Sequence, residues 1–413
     1  VLTDGEAGCV AIFPWGDVIE DFLTPIGLDI HGFANRMTGG WLFGYVAALQ
    51  SAGWRAVIVC ASSTCAAPTR LVHAGTGAAI WLLPGRSTPQ GRSSSWRSVR
   101  QWLRTPLSAF GATLVREGCT AILVQEYEYA RFHRLVRLGR SLGIPVLATF
   151  QGGDRPLSPI EALVRPGSLR KSSGLIVASA AERARIAQRY GRSVPPVSDV
   201  PNPLDTTEWQ AIDRGEARRR LGLDPHGFLA INHGRIAIFR KGLDILLQAW
   251  ARCGNVGLVV IGSGEDDEPF GDLLRKANLP NVQWQASYST ERALMRTWLS
   301  AADIYVTASR IEGMPVAPLE AMACGLPIVA TDAQGLPDIL AGGERSGGLI
   351  VAKNDPAALA EAVLRLRANG ELRRRLGKAG RARVESAFSV AEVGAQLDRI
   401  LRRVDTPARL SRR

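Results

Sequence analysis

Short β-rich apolar runs alternate with longer amphipathic stretches along this chain, and the alternation is completed twice. In the first half, CVAIF (9–13), AVIVC (56–60), AIWLL (79–83), AILVQ (121–125), PVLATF (145–150) and GLIVAS (174–179) have the composition of strands. Segments 41–51, 96–117, 128–142 and 181–190 between them have helical length and apolar spacing. The second half repeats this with FLAINHG (228–234), VGLVVIG (256–262), NVQWQA (281–286), DIYVTAS (303–309) and PIVAT (327–331) as strands. Its helical segments are 243–252, 290–300, 316–324, 356–368 and 371–387. Strands that are apolar along their length are buried on both faces, and helices between them make the sheets parallel. The length of 413 residues exceeds what one core serves. The expected fold class is therefore α/β, with two doubly wound Rossmann-like domains in tandem. SVPPVSDVPNPLD (193–205) carries four prolines and sets the boundary near Pro203. The expected division is 1–203, 204–388, and a C-terminal helix (389–413) packing back on the first domain. Open parallel sheets bind ligands beyond the carboxyl ends of their strands, so the chemistry is expected where those edges face a cleft between the domains.

The composition narrows the partners. Apolar residues make up 46% and charged residues 21%, an ordinary globular mix. The net charge of +12 comes mainly from arginine, whose planar fork suits phosphate. Six cysteines, at 9, 60, 65, 119, 253 and 324, show no metal-ligand spacing and fit buried thiols in a reducing compartment. No basic leader opens the chain and no run of about 18 apolar residues occurs. Cytoplasmic residence is the expectation, with peripheral contact to the inner face of the membrane as its extension.

Three segments carry candidate chemistry. Ser309 to Asp332 reads SRIEGMPVAPLEAMACGLPIVATD, a loop after a strand that opens a helix. Glu312 and Glu320, eight positions apart, could hold two ends of one elongated ligand. The amides of Gly313 to Val316 would meet a diphosphate at the helix start. A capping Glu312 with a solvated Glu320 is the structural alternative. NHGRIAIFRKGLDILLQAW (232–250) places Arg235 and Lys241 on the loop after another strand, where two cations suit two phosphates. Arg240 is a third cation there, and a solvated basic loop is the alternative. In MTGGWLFGYVAAL (37–49), Gly39 and Gly40 open a helix and let backbone approach a ligand, although tight packing explains them equally. TFQGGD (149–154) sets Gln151 and Asp154 at a strand's carboxyl end, where a capped glycine turn is an equal contender.

In this order the segments resemble glycosyltransferase family 4, the large retaining family of GT-B fold. EGMPVAPLE (312–320) stands where the family has E-x7-E, and GRIAIFRKG (234–242) where it has G-R…K-G. PNPLD, VVIGSGE (259–265) and GLIVAKNDPAALAEAV (348–363) add to the likeness, which is strongest from about Pro201 to Phe388. The resemblance implies transfer of a hexose from a nucleotide-diphosphate sugar with retention, without a catalytic metal or other cofactor. Arg235 and Lys241 would neutralise the diphosphate. Glu312 would bind hydroxyls of the transferred sugar, and Glu320 the ribose. Gly313, Met314 and Val316 would offer amides, which Pro315 cannot. The second domain would then bind the donor and the first the acceptor.

Two departures stand out. Relatives often have histidine where this chain has Gln151, so either Gln151 keeps the sugar contact without a charge or Asp154 matters more. Residues 14–37 make a long connection before Gly39, and His31 within it is either a base or incidental. Nucleotide-sugar 2-epimerases and sugar phosphorylases share the architecture, and E-x7-E with G-R…K-G favours transfer. A dinucleotide oxidoreductase needs GxGxxG, which Gly262-Ser-Gly264 does not complete. A non-catalytic basic binding protein would not need both glutamates, and no nucleic-acid motif with interleaved aromatics is present. The acceptor is a glycan, a lipid-linked sugar or a small molecule. Residues 85–110 hold Trp96 and Trp102 among Arg86, Arg92, Arg97, Arg100 and Arg104: a Ser/Gly/Pro-rich loop and, from Ser95, a short basic helix that resembles an interfacial one and points to a membrane surface. The alternative is a surface helix of a soluble domain.

Overall fold

The computed structural model describes residues 8–38, 40–88, 94–150, 157–286 and 291–410. The chain divides into two compact units, one of Val1–Pro203 with Val390–Arg413 and one of Leu204–Ser389.

The first unit is built on a sheet of eight strands among the described residues: β1 (Cys9–Phe13), β2 (Arg55–Ser62), β3 (Thr69–Val72), β4 (Ala79–Pro84), β5 (Cys119–Gln125), β6 (Val146–Thr149), β7 (Gly174–Val177) and β8 (Val197–Asp199). Their order is β3-β4-β2-β1-β5-β6-β7-β8. All pairings are parallel except that of β3 with β4. Strand β1 shows why both faces must be covered. Cys9, Ala11 and Phe13 enter one apolar core and Val10 and Ile12 the other, the period of two that a pleated strand imposes. Helix α1 (Tyr45–Ser51) covers the second face together with the C-terminal helix (Val390–Leu410). Val393, Leu397 and Leu401 of that helix share a core with Val46 and Leu49, and Trp54 Nε1 donates to Asp398 at 2.8 Å. The first face carries Leu107–Arg116, α3 (Arg131–Leu142), α4 (Pro159–Lys171) and α5 (Ala180–Tyr190), and α2 (Ser94–Arg104) is bonded to the start of α4 through Ser98.

The second unit is a six-stranded, wholly parallel sheet: β9 (Leu229–His233), β10 (Gly257–Ile261), β11 (Val282–Gln285), β12 (Ile304–Thr307), β13 (Ile328–Thr331) and β14 (Gly348–Val351), in the order β11-β10-β9-β12-β13-β14. Buried Arg218 ties its amino-terminal edge together, with Nη2 2.9 Å from Asp303 and Nη1 donating to the carbonyls of Asp224, Pro225 and Gly227. Helix α6 (Leu243–Trp250) follows β9 and α7 (Ala317–Ala323) follows β12.

Each chain order reverses once, at β1/β5 in the first unit and β9/β12 in the second. A doubly wound sheet opens a crevice at that reversal, beyond the strands' carboxyl ends. The two doubly wound units are as expected from the alternating pattern. Three local expectations are corrected. The helix expected over 96–117 is two, α2 and Leu107–Arg116, because Pro106 has no N–H to give and restricts the residue before it. Residues 14–37 are no open loop: Glu20–Leu23, Thr24–Ile26 and Ile30–Asn35 are helical and bury Leu23 and Phe33 completely. Strands β3, β8 and β14 add to those expected, and each lies at or beside a sheet edge.

Candidate functional site

In the second unit the candidate residues collect at the β9/β12 reversal. The chain leaves β9 through His233, Gly234 and Arg235, runs beside the end of β10, and makes one helical turn (Ile238–Lys241) before α6. Backbone bonds fasten this loop to the next: Gly234 N donates to Ile261 O at 3.0 Å and Ile236 N to Ser263 O at 3.1 Å. Gly262, at φ +145°, allows that approach, since a Cβ there would collide with the Gly234 carbonyl. Gly262-Ser-Gly264 thus serves close packing of two loops. Gly242, at φ +59°, ends the helical turn, and a Cβ there would strike the Ala308 carbonyl at the end of β12.

The loop after β12 is held as firmly. Arg310 forks onto Asp244, with both nitrogen–oxygen pairs at 2.7 Å, and stacks over Phe239. Burial works against the charged Asp244, but the Arg310 hydrogen bonds and charge outweigh it and hold the carboxyl below its ordinary range. Thr331 Oγ1 donates to Ser309 O at 2.6 Å, pinning the loop to the end of β13. Arg310 N and Ile311 N donate to the Arg240 carbonyl. Arg240 therefore contributes its backbone here, while its side chain is exposed.

On this frame Lys241 and Glu312 meet. Lys241 Nζ lies 2.7 and 2.9 Å from the two carboxylate oxygens, and Ser309 Oγ donates to Oε1 at 2.6 Å. The Glu312 side chain is 9% exposed and that of Lys241 30%. Two groups that the sequence assigned to different parts of one ligand thus form a single ion pair at the mouth of the reversal. Arg235 stands apart, half-exposed and paired with Glu265 at 2.7 Å. Glu320, inside α7, receives a bond from His233 Nε2 at 2.7 Å. His233 Nδ1 is buried and has no hydrogen-bond partner among the described residues.

Helix α7 begins at Ala317, so Glu312 is a loop residue and helical geometry applies to Glu320 alone. Gly313, Met314 and Val316 form the approach to that helix, with Val316 at its cap. The sequence reading missed His233 and Ser309, the neighbours that orient the two carboxylates. The available signal was their place: each sits within two residues of a strand's carboxyl end, beside a singled-out residue.

In the first unit, Gly40 opens a π-turn (Gly40–Gly44) that continues into α1. Gly39, Gln151 and Asp154 lie outside the described residues. His31 is exposed on a short helix, its Nδ1 3.2 Å from Asn35 Nδ2, which supports the incidental reading. The β1/β5 reversal holds two residues not singled out before. Gln125 is wholly buried, its Oε1 without a partner among the described residues, and Glu126 adopts φ +102°, a conformation that a side chain makes costly.

Residues 213–383 match the family described as glycosyl transferases group 1, and residues 43–203 the glycosyl transferase 4-like domain. The alpha-maltose-1-phosphate synthase of Mycobacterium tuberculosis is 30% identical over 260 residues, covering 59% of this chain and 67% of that one. The chain belongs to the group 1 glycosyl transferases. The D-inositol 3-phosphate glycosyltransferase of Segniliparus rotundus is 32% identical over 257 residues, covering 60% of this chain and 56% of that protein. The matched region thus spans between about half and two thirds of these relatives' length. Sucrose-phosphate synthase from Thermosynechococcus elongatus superposes with a TM-score of 0.75 at 21% identity, over 97% of this chain and all of that one. That likeness places the two Rossmann-like units of this glycosyltransferase in the GT-B fold class. Membership in the family favours transfer over the dinucleotide-enzyme and binding-module alternatives.

Proposed function

We propose that the chain transfers a hexose from a nucleotide-diphosphate sugar to an acceptor with retention of configuration, as a family 4 enzyme. The carrying observation is the Lys241–Glu312 pair at the β9/β12 reversal, with Arg235 earlier on the loop that carries Lys241. In this reading Lys241 and Arg235 take the diphosphate in place of a metal ion. Glu312, oriented by Ser309, binds hydroxyls of the departing sugar. Gly313, Met314 and Val316 turn amides toward the donor. Glu320, held by His233, binds the ribose. The bond from the anomeric carbon to the phosphate oxygen breaks with its electrons going to the diphosphate. The acceptor oxygen bonds to the same face, and its proton passes to the leaving phosphate oxygen. Fixed cations stabilise the charge that gathers there. Gln151 and Asp154, with Gly39 and Gly40, are assigned to the first unit's side of the reaction. Incubation with a panel of nucleotide sugars, with and without acceptors, tests the reading. Sugar-dependent release of nucleoside diphosphate is expected, and its absence from every donor would remove the assignment.

The acceptor is proposed to be lipid or lipid-linked, reached from a membrane surface. Helix α2 turns the usual pattern outward. Ser98 and Gln101 are buried, bonded to Glu161 and Tyr129, whereas Trp96 is 68% and Leu103 77% exposed. Leu163 on neighbouring α4 is 82% exposed. Trp102, expected at the same surface, instead turns inward and donates Nε1 to the Ala130 carbonyl at 2.9 Å. Arg100 is exposed on the same helix, the combination that holds a protein at an anionic interface. No helix among the described residues is long and apolar enough to cross a membrane. Sedimentation with anionic liposomes at low salt is expected to pellet the protein, and Trp96→Ser with Leu103→Ser to leave most of it in solution. Retention in the supernatant for the unaltered protein would favour a soluble phosphorylated acceptor, as the name D-inositol 3-phosphate glycosyltransferase suggests for one relative.

A further inference from the structure

At the amino-terminal edge of the first unit's sheet, opposite the edge where the reversal opens, lies a cavity of about 670 Å³. Its walls are the starts of β6, β7 and β8, the end of α3, and the C-terminal helix. Ile144, Leu147, Leu175, Ile400 and Val404 give it an apolar lining. That size and character suit a small organic ligand anchored by a few polar groups. The polar groups here are of one sign. Arg140, Arg399 and Arg403 all border the cavity, and no acidic residue does.

The arginines' environment makes the arrangement informative. Elsewhere on this chain guanidinium groups are commonly paired with carboxylates, as Arg55 is with Glu117 and Arg402 with Asp398. Arg140 and Arg403 form no side-chain hydrogen bond or ion pair among the described residues. Among the described residues Arg399 makes only a 3.3 Å bond to the Ala395 carbonyl of its own helix. Arg399 and Arg403 are four residues apart and so stand on one helical face. Three like charges around an apolar hollow repel one another, and an anion seated among them relieves that repulsion.

We propose that this cavity binds a single-chain anionic amphiphile, its hydrocarbon chain along Leu147, Leu175 and Ile400 and its phosphate among Arg140, Arg399 and Arg403. The ligand would join the C-terminal helix to the sheet at the end of the strands opposite the β1/β5 reversal. Dodecyl phosphate below its micellar concentration is the probe, measured by equilibrium dialysis on the full chain. One molecule per chain is expected to bind, with inorganic phosphate and dodecanol at least tenfold weaker. The double variant Arg140→Ala/Arg403→Ala should weaken binding at least tenfold. These side chains are exposed, so folding should persist, and circular dichroism checks it. Ser198→Phe, which fills the hollow without touching the charges, should weaken dodecyl phosphate binding similarly. The surface variant Trp96→Ser/Leu103→Ser should leave it unchanged. Equal binding of inorganic phosphate, indifference to the arginine and filling variants, or loss on altering Trp96 and Leu103 would each overturn the proposal.

Discussion

Lys241→Ala is expected to lower turnover by about 100-fold or more, with Arg235→Ala falling in the same range, as when a fixed donor to a developing anion is removed. The surroundings of the two cations make the pair of variants more telling than either alone. Lys241 bonds both oxygens of Glu312, so its loss removes a charge from the site and leaves that carboxylate with Ser309 alone. Arg235 is half-exposed and held by Glu265, so its loss disturbs no buried group. An effect at Lys241 combines the missing charge with a displaced glutamate, whereas an effect at Arg235 reports on charge alone. Steady-state kinetics with the donor found by screening, on variants with unchanged circular dichroism, makes the measurement. Near-normal turnover in both would leave the diphosphate assignment without support.

How much of this was legible beforehand depended on what kind of force fixes each feature. Strands such as β5 and β10 are apolar along their length because both faces are covered, and any reading of composition finds them. Strand β3 escaped because it is an edge: Thr69, Arg70 and Val72 are exposed, and only pairing to β4 makes TRLV a strand. Strand β8 is three residues within a proline-rich stretch. The apolar spacing over 96–117 was real, but spacing says nothing of the N–H that Pro106 lacks. At the site, the motifs located Lys241 and Glu312 separately, yet their direct bond comes from chain segments 71 residues apart and is set by the reversal of strand order. His233 was invisible for a related reason. At the end of an apolar strand a single histidine has no periodicity, and its meaning lies in a carboxylate 87 positions on.

The two glutamates are expected to fail differently, and that contrast tests the donor geometry most sharply. Glu312→Gln keeps the shape of the side chain and removes its charge, which ends the ion pair with Lys241 and weakens the acceptor of sugar hydroxyls. If Glu312 positions the sugar for transfer, kcat should fall by about 100-fold while affinity for free nucleoside diphosphate changes little, because the interaction belongs to the chemical step. Glu320→Gln should do the reverse. Loss of a charged hydrogen bond to ribose costs roughly 1.5–3 kcal/mol, so nucleoside diphosphate should bind about tenfold or more weakly, with a smaller change in kcat. His233→Ala supplies the discriminating third case. It leaves Glu320 charged but removes its 2.7 Å bond, so a weaker loss of nucleotide affinity is expected, in the same direction as Glu320→Gln. Isothermal titration with nucleoside diphosphates, set beside saturating-donor turnover, separates the two quantities. Unchanged nucleotide affinity in Glu320→Gln would end the ribose assignment, and a Glu312→Gln variant that lost affinity but kept kcat would exchange the two roles.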